Sequence, residues 1–510
     1  MAPSIHVLMP NNDISFTKFF SYGAIALFAF IVVVPAFKTL FSPLRRVPGP
    51  FLARFTRLWE ATLLRSQDYA LSNIALHKKY GPIVRLAPNR YSINDAEAIK
   101  IVLGHRDAMA KSEFYYPFGS PEPNEDNLFS TRSFATHATL RRPITSLYST
   151  THLLSYEPAV DNCNNLLLRR LSEYAREKKD FDVRELMQFY AFDVIGELTV
   201  GARFGLMEDN GDKSGIIPIL GEALAYSTYV GLVPGVHWWV GKITGLLGIK
   251  PDFVKVQDYA ELHLTNRASG KTESPSNGRD FLDILLPLEE AGKVTRKITM
   301  TVCLQNIAAG SDTTAISLAA VIGFLAMNPS CLHTLRQELD GATQRGELSE
   351  PAAFKETQKL PYLQAVISEA LRLHPAVGMP LTRVVGQGGA QLAGQYFPAG
   401  TEVGINPWVI HRNTSIFGPD ASQFRPQRWL TKDPQERAHL EKNFLSFGTG
   451  SRTCLGKNIS MMEMSKVIPQ IVRKFDFELL EDSKTGEGYT WHTEWFTPQS
   501  FKCSVQARST

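Results

Sequence analysis

A chain of 510 residues, 44% apolar and 20% charged, can bury a large core, and a formal net charge of only +4 leaves no basic footprint for nucleic acid. Five cysteines (Cys163, Cys303, Cys331, Cys454 and Cys503), odd in number and without a C-x-x-C spacing, argue against a disulfide scaffold or structural zinc and for a reducing compartment. No repeat, low-complexity stretch or Gly/Ser-rich linker divides the chain after residue 50, so residues 51–510 are expected to form one unit.

Residues 19–37 carry no charge, and at about 1.5 Å per residue they span roughly one bilayer core. Arg45, Arg46, Arg54 and Arg57 follow, which puts the bulk of the chain on the cytosolic side. The competing reading is a cleaved signal peptide. Against it stand a poorly basic start, a long apolar run and no clear A-x-A site after it. The expected order is a short lumenal segment (1–18), a transmembrane anchor (19–38), a proline-rich hinge (39–50) and a catalytic domain (51–510). In the hinge, Pro48-Gly49-Pro50 cannot continue a helix.

Further on, Ile83-Val84-Arg85-Leu86 and Tyr91-Ser92-Ile93 read as short strands about a turn at Asn89-Arg90. From about 135 the pattern is helical. Residues 226–248 are densely apolar, with Trp238 and Trp239. They suit either a buried helix hairpin or a surface that dips into a membrane. Residues 298–327 give the longest helix pattern, ended by Asn328-Pro329, and after about 380 short strands return. The expected fold is mainly α with small β-sheets, plus one N-terminal transmembrane helix.

The decapeptide Phe447-Gly448-Thr449-Gly450-Ser451-Arg452-Thr453-Cys454-Leu455-Gly456 carries the chemistry. A thiolate ligand needs a tight loop that offers backbone N–H groups, glycines where the loop turns, and a helix N-terminus beyond it, expected near Leu455. A buried structural cysteine after a turn is the bland alternative, and no strand-turn-helix supports a dinucleotide loop. The whole pattern F-x-x-G-x-R-x-C-x-G resembles the haem-binding signature of the cytochrome P450 family.

Other segments follow that family's order. Glu369-Ala370-Leu371-Arg372 would ordinarily be a surface ion pair. Here Phe424-Arg425-Pro426-Gln427-Arg428-Trp429 lies between it and the cysteine loop, and the resemblance implies a buried core of Glu369, Arg372 and Arg428. Ala309-Gly310-Ser311-Asp312-Thr313-Thr314 could cap a new helix at Ser311. By resemblance it is instead the oxygen-activation segment. Thr313 then donates where dioxygen is activated, Asp312 feeds protons, and Gly310 lets dioxygen sit close to the backbone. His137 and Arg141, in an H-x-x-x-R where the family usually has Trp, and Arg383 in Pro380-Leu381-Thr382-Arg383, look like haem-propionate contacts beside Arg452; Phe447 opens the haem loop.

The resemblance implies haem b bound through Cys454 and a monooxygenase that takes O2 and NADPH-derived electrons. The expected donor is NADPH–cytochrome reductase, with cytochrome b5 as a second possible partner, at the endoplasmic reticulum membrane. A haem-thiolate isomerase or dehydratase, or a non-catalytic haem-binding protein, would share the loop but not need Asp312 and Thr313. Within the family the pattern is similar to fungal enzymes of the pisatin-demethylase type, which implies an apolar specialised metabolite. Its pocket would draw on Tyr115, Tyr116, Phe118 and Phe129, the 226–248 patch, Val377, Met379 and Leu381, closed by Trp495-Phe496.

Overall fold

The computed structural model describes residues 41–105, 108–122, 127–275, 278–480, 490–491 and 495–508, with isolated positions between 21 and 37. The expected segment 1–18 and most of the expected anchor at 19–38 lie outside the described residues. Tyr22, Ile25, Val33 and Phe37, which fall inside that anchor, are helical and exposed.

Among the described residues, the helices of eight residues or more are α1 (Leu58–Arg65), α2 (Tyr69–Tyr80), α3 (Ala96–Leu103), α4 (Phe134–Arg141), α5 (Thr150–Glu177), α6 (Val183–Val200), α7 (Ile216–Leu232), α8 (Gly235–Leu246), α9 (Val254–Ala268), α10 (Leu282–Glu290), α11 (Arg296–Met327), α12 (Pro329–Gln344), α13 (Pro361–Leu373), α14 (Pro434–Lys442) and α15 (Lys457–Lys474). Their starts follow from local chemistry. Ser133 accepts the Thr136 amide at α4, Asp182 accepts those of Arg184 and Glu185 at α6, and Thr295 accepts that of Ile298 at α11. Helix α11 is continuous through Ser311, so no cap forms there, and Pro329 opens α12 directly after it.

The strands are β1 (Ile83–Ala87), β2 (Arg90–Ile93), β3 (Ala110–Lys111), β4 (Phe181–Asp182), β5 (Leu381–Val384), β6 (Ala390–Leu392), β7 (Gln395–Phe397), β8 (Glu402–Ile405), β9 (Phe475–Leu479), β10 (Thr490–Trp491), β11 (Gln499–Ser500) and β12 (Lys502–Ala507). The largest sheet runs β1-β2-β8-β5-β3, with β2 and β8 parallel in the register Arg90↔Glu402 and its other pairs antiparallel. A second sheet, β4-β12-β9, closes against α5 and α6.

The main core is formed by α5, α6, α11, α12, α13 and α15. Helix α11 is long and apolar enough to cross a bilayer, but most of that apolar stretch is buried inside the protein, which marks it as the central core helix. A smaller cluster joins Leu64, Tyr69, Phe114, Tyr115, Leu232, Met379 and Trp495. Beneath it lies a buried ion network: Arg90 pairs with Glu60 (2.9 Å) and Glu402 (2.8 Å). Arg57 pairs with Glu402 (2.9 Å) and donates to the Leu232 carbonyl (3.0 Å), joining the sheet to the end of α7.

The 226–248 stretch is a helix hairpin, α7 and α8, but only part of it is buried. On α8, His237 is buried while Trp239 (61% exposed), Ile243 and Leu246 (88% exposed) face outward, and Val233 and Leu247 flank them. The apolar residues of α8 therefore form an outer surface rather than a pocket wall.

Candidate functional site

The cysteine loop is built by backbone geometry. Gly448 (φ 65°) and Gly450 (φ 73°) adopt the left-handed conformation that glycine tolerates. The Gly448 amide donates to the Leu445 carbonyl (2.8 Å) and the Cys454 amide to the Phe447 carbonyl (2.9 Å). A side chain at Gly450 would run into the carbonyl oxygen of Leu103, so the close approach at this glycine is to the end of α3 rather than to a porphyrin. The helix beyond begins at Lys457, two residues later than the expected Leu455, with Gly456 as its cap.

Cys454 is exposed, in contrast to the other cysteines. Burial pushes the thiol up from its ordinary value. The amides of Gly456 and Lys457, then the charges of Arg141 and Lys457, pull it back down. The other four cysteines are buried and free. On α11, Ala309 is exposed and Thr313 half-exposed in the middle of an otherwise buried helix. The helix is joined to this region by a Thr314–Ser460 hydroxyl contact (3.2 Å) and by Tyr148, whose hydroxyl donates to Asn306 (2.6 Å) and whose carbonyl accepts from Asn458 (3.1 Å).

Thr313 donates its hydroxyl to the Ala309 carbonyl at 2.8 Å, and Ser311 and Ser317 make the same back-bond to Ile307 and Thr313. Such bonds loosen the helical ladder on one side. Asp312 leaves the helix toward α6, where Gln188 donates to it at 2.6 Å, and burial raises its carboxyl above the ordinary value. Gly310 also faces α6: a side chain there would press on Ile195 at 2.9 Å, so its smallness serves the packing of α6 on α11.

Five cationic or ionisable groups converge at the other wall: Lys111, His137, Arg141, Arg383 and Arg452. Burial, then the charges of Arg383 and Arg452, hold Lys111 well below the ordinary lysine value. Burial, then Arg383 and Arg141, bring Arg452 down to about 10. Burial, then Arg452, Arg141 and Lys111, bring His137 to about 4. Among the described residues none of the five forms an ion pair, and Arg452 Nη1 is buried without any hydrogen-bond partner. Buried like charges of this kind require an anion. The two carboxylates of a haem fit that requirement. Arg141 has a second task, since it donates to the carbonyls of Ser451 (3.3 Å) and Thr453 (3.0 Å) and so fastens the cysteine loop.

Lys111 escaped the sequence reading because a lone lysine in a two-residue strand carries no motif. Its ammonium lies over the rings of Tyr115 (4.2 Å) and Phe129 (4.0 Å) and donates to the Phe129 carbonyl. Those rings belong to an aromatic cluster of Phe114, Tyr115, Phe118, Phe129 and Trp495, with centroids 5.3–6.4 Å apart. Val377 bridges Phe496 beside it. Tyr116 instead packs on His237 and donates to the Pro121 carbonyl, away from this cluster.

Behind the loop, Glu369 accepts from Arg372 Nε and Nη2 (both 2.8 Å), Arg428 Nε (2.9 Å), Trp429 Nε1 (2.9 Å) and the Arg425 amide (2.9 Å); Glu369, Arg372 and Arg428 are buried. Arg372 also donates to the carbonyls of His411 and Ala421. His411 passes this order on. Its ring receives the Leu445 amide at Nε2 and gives its Nδ1 proton to the Arg372 carbonyl (2.7 Å). His411 did not figure among the residues expected from sequence, and Trp429 did so only as the end of the Phe424–Trp429 segment, with no role of its own.

A family model described as cytochrome P450 matches residues 48–501. A protein of Fusarium vanettenii named pisatin demethylase is 41% identical over 477 residues, covering 92% of this chain and 90% of that protein. A cytochrome P450 monooxygenase of Aspergillus terreus is 36% identical, covering 88% of this chain and 95% of its own length. Another, of Penicillium aethiopicum, is 35% identical over 94% and 96% of the two chains.

Proposed function

The chain belongs to the cytochrome P450 family and is a monooxygenase of that family; from that premise we propose how its residues divide the work and where it acts. Bound haem supplies the oxidising chemistry, in which one atom of O2 enters the substrate and the other leaves as water. Cys454 would hold the haem iron, and the Gly456 and Lys457 amides would temper the sulfur charge. Arg452, Arg383, Lys111, His137 and Arg141 would receive the propionates, and Phe447 lines the loop. Thr313 presents its hydroxyl on the open side of α11, and Asp312 carries protons to it from solvent. The buried cation cluster, which has no protein counter-charge among the described residues, is the observation that carries this assignment.

The substrate we propose is an apolar small molecule of fungal secondary metabolism, enclosed by the Phe114–Trp495 aromatic cluster, Met379 and Leu381. Electrons come from NADPH through a cytochrome reductase, with cytochrome b5 as an auxiliary donor. We place the enzyme at the endoplasmic reticulum membrane through residues 19–38. The outward apolar face of α8 and exposed Phe51, Leu52 and Leu58 support contact with lipid. An isomerase or dehydratase, or a passive haem carrier, would have no use for a half-buried acid held beside a back-bonded threonine, so this pair favours oxygen activation.

The test is a carbon monoxide difference spectrum of the reduced protein, followed by turnover of a fungal-metabolite panel with and without NADPH and reductase. A thiolate-type spectrum, lost in Cys454→Ser, and product formed only with reductant are expected. Colourless protein, or product formed without electrons, would overturn the reading.

A further inference from the structure

Among the described residues Asp312 makes no ion pair, and its carboxyl accepts from an uncharged amide. Gln188 reaches it from α6 at 2.6 Å, and Arg184 lies one turn earlier on the same helical face. Arg184 acts on the acid at a distance without bonding to it. Among the described residues, the other elements packed here bring no opposing charge against it. Strand β11 contributes Gln499, which donates to the Ile316 carbonyl (2.9 Å), and α15 contributes Ser460, engaged with Thr314. The buried carboxyl of Glu463 on α15 acts on Tyr190 instead.

A carboxamide differs from a lysine or arginine in one respect that matters for a group that gains and loses a proton. Its NH2 donates to a carboxylate, and its carbonyl accepts from a carboxylic acid, so a rotated amide satisfies either state. A cation in its place would form a buried pair and lock the acid as an anion.

We propose that Gln188 is a positioning residue for the proton supply: it orients the Asp312 carboxyl through a neutral hydrogen bond that survives both protonation states. Arg184 then marks the solvent end of the route. A proton taken from water at that end binds Asp312, passes to the oxygen site beside Thr313, and is replaced from water, so no other co-reactant is needed. The inference rests on the reading of Asp312 as proton carrier.

The test is infrared titration of the protonated carboxyl stretch in the full-length ferric protein, assigned by its loss in Asp312→Asn. Gln188→Met and Gln188→Lys are compared at equal carbon monoxide band amplitude. Gln188→Lys is expected to move the Asp312 midpoint down by about one to three pH units, and Gln188→Met to move it up. Oxygen consumption with NADPH and reductase should show a larger D2O effect in both. Midpoints that do not separate in these opposite directions would overturn the role of Gln188. Separated midpoints with an Asp312→Asn protein of unchanged oxygen consumption and D2O effect would overturn the proton-carrier reading instead, and the proposal with it. If Gln188→Lys fails to fold, the upward shift in Gln188→Met decides alone.

Discussion

The ring of His411 accepts the backbone amide of Leu445 at 2.8 Å, which ties the buried Glu369–Arg372 pair to the loop that carries Cys454. Burial, then the nearby Arg372 charge, holds this histidine well below its ordinary value, so it is neutral and its Nε2 is free to accept. His411→Ala leaves the Leu445 amide and the Arg372 carbonyl without their partner, at about 1–3 kcal/mol for each buried group. The expected result is a cysteine loop that holds haem poorly, read as a smaller thiolate-type carbon monoxide band. An unchanged band would show that the loop does not depend on this ring.

Arg372→Leu removes two of the five bonds to the buried Glu369 carboxylate and leaves the His411 and Ala421 carbonyls without their donor, and should cost about 3–5 kcal/mol. Replacing Glu369 alone strands two arginines and should be at least as harmful. Haem content after purification and the urea midpoint check both. A soluble, fully loaded Arg372→Leu protein would contradict the geometry.

These two clusters illustrate what the amino-acid order makes visible. Glu369 and Arg372 sit three apart and are easy to see as a pair, and the cysteine loop is legible because its turns need glycine within ten residues. Arg428, 59 residues from Glu369, became readable only through the family pattern. His411, Lys111 and Gln188 carry no local signature, because each gains meaning from a partner brought near by folding; Gln188 meets Asp312 across 124 positions. The apolar run at 226–248 has the same composition whether it lines a core or faces outward, and only the packing of α8 separates the two.

Lys111→Met should act with opposite sign on the two forms of the protein. Its ammonium is disfavoured by burial and by Arg383 and Arg452, so the haem-free chain should gain stability when the charge is removed. The haem-loaded protein loses a propionate contact and should release haem faster. Denaturation of the apoprotein and haem transfer to apomyoglobin read the two effects. The same sign in both would refute the assignment.

Stability should fall on the acid side. Burial lowers His77 and His374 to about 4 and holds His411 well below its ordinary value. Below the unfolded value of about 6.5 the unfolded chain takes up these protons first. Their contribution is thus complete above pH 6.5 and is lost as pH falls toward 4. Urea midpoints at pH 7.5, 6 and 5 should descend in that order.

Glu463 has the reverse dependence. Burial raises its carboxyl well above the ordinary range, and its Oε2 has no partner among the described residues. A group that stays protonated only in the folded state costs stability as pH rises above its unfolded value near 4.5. Glu463→Gln should therefore raise the urea midpoint at pH 7, with the gain shrinking toward pH 4.5. A loss of stability at pH 7 would point to an interaction that the carboxylate makes.

The contact between Gly450 and the end of α3 sets a rule for anyone who recombines this enzyme with its relatives. The Leu103 and Gly104 carbonyls occupy the space where a side chain at 450 would stand, although the two segments are far apart in the chain. A chimera with a crossover anywhere between 104 and 450 inherits one half of this fit from each parent. Exchanging residues 96–104 together with the loop keeps both halves from one source, and swapped libraries built that way should yield more coloured clones than those that move the loop alone.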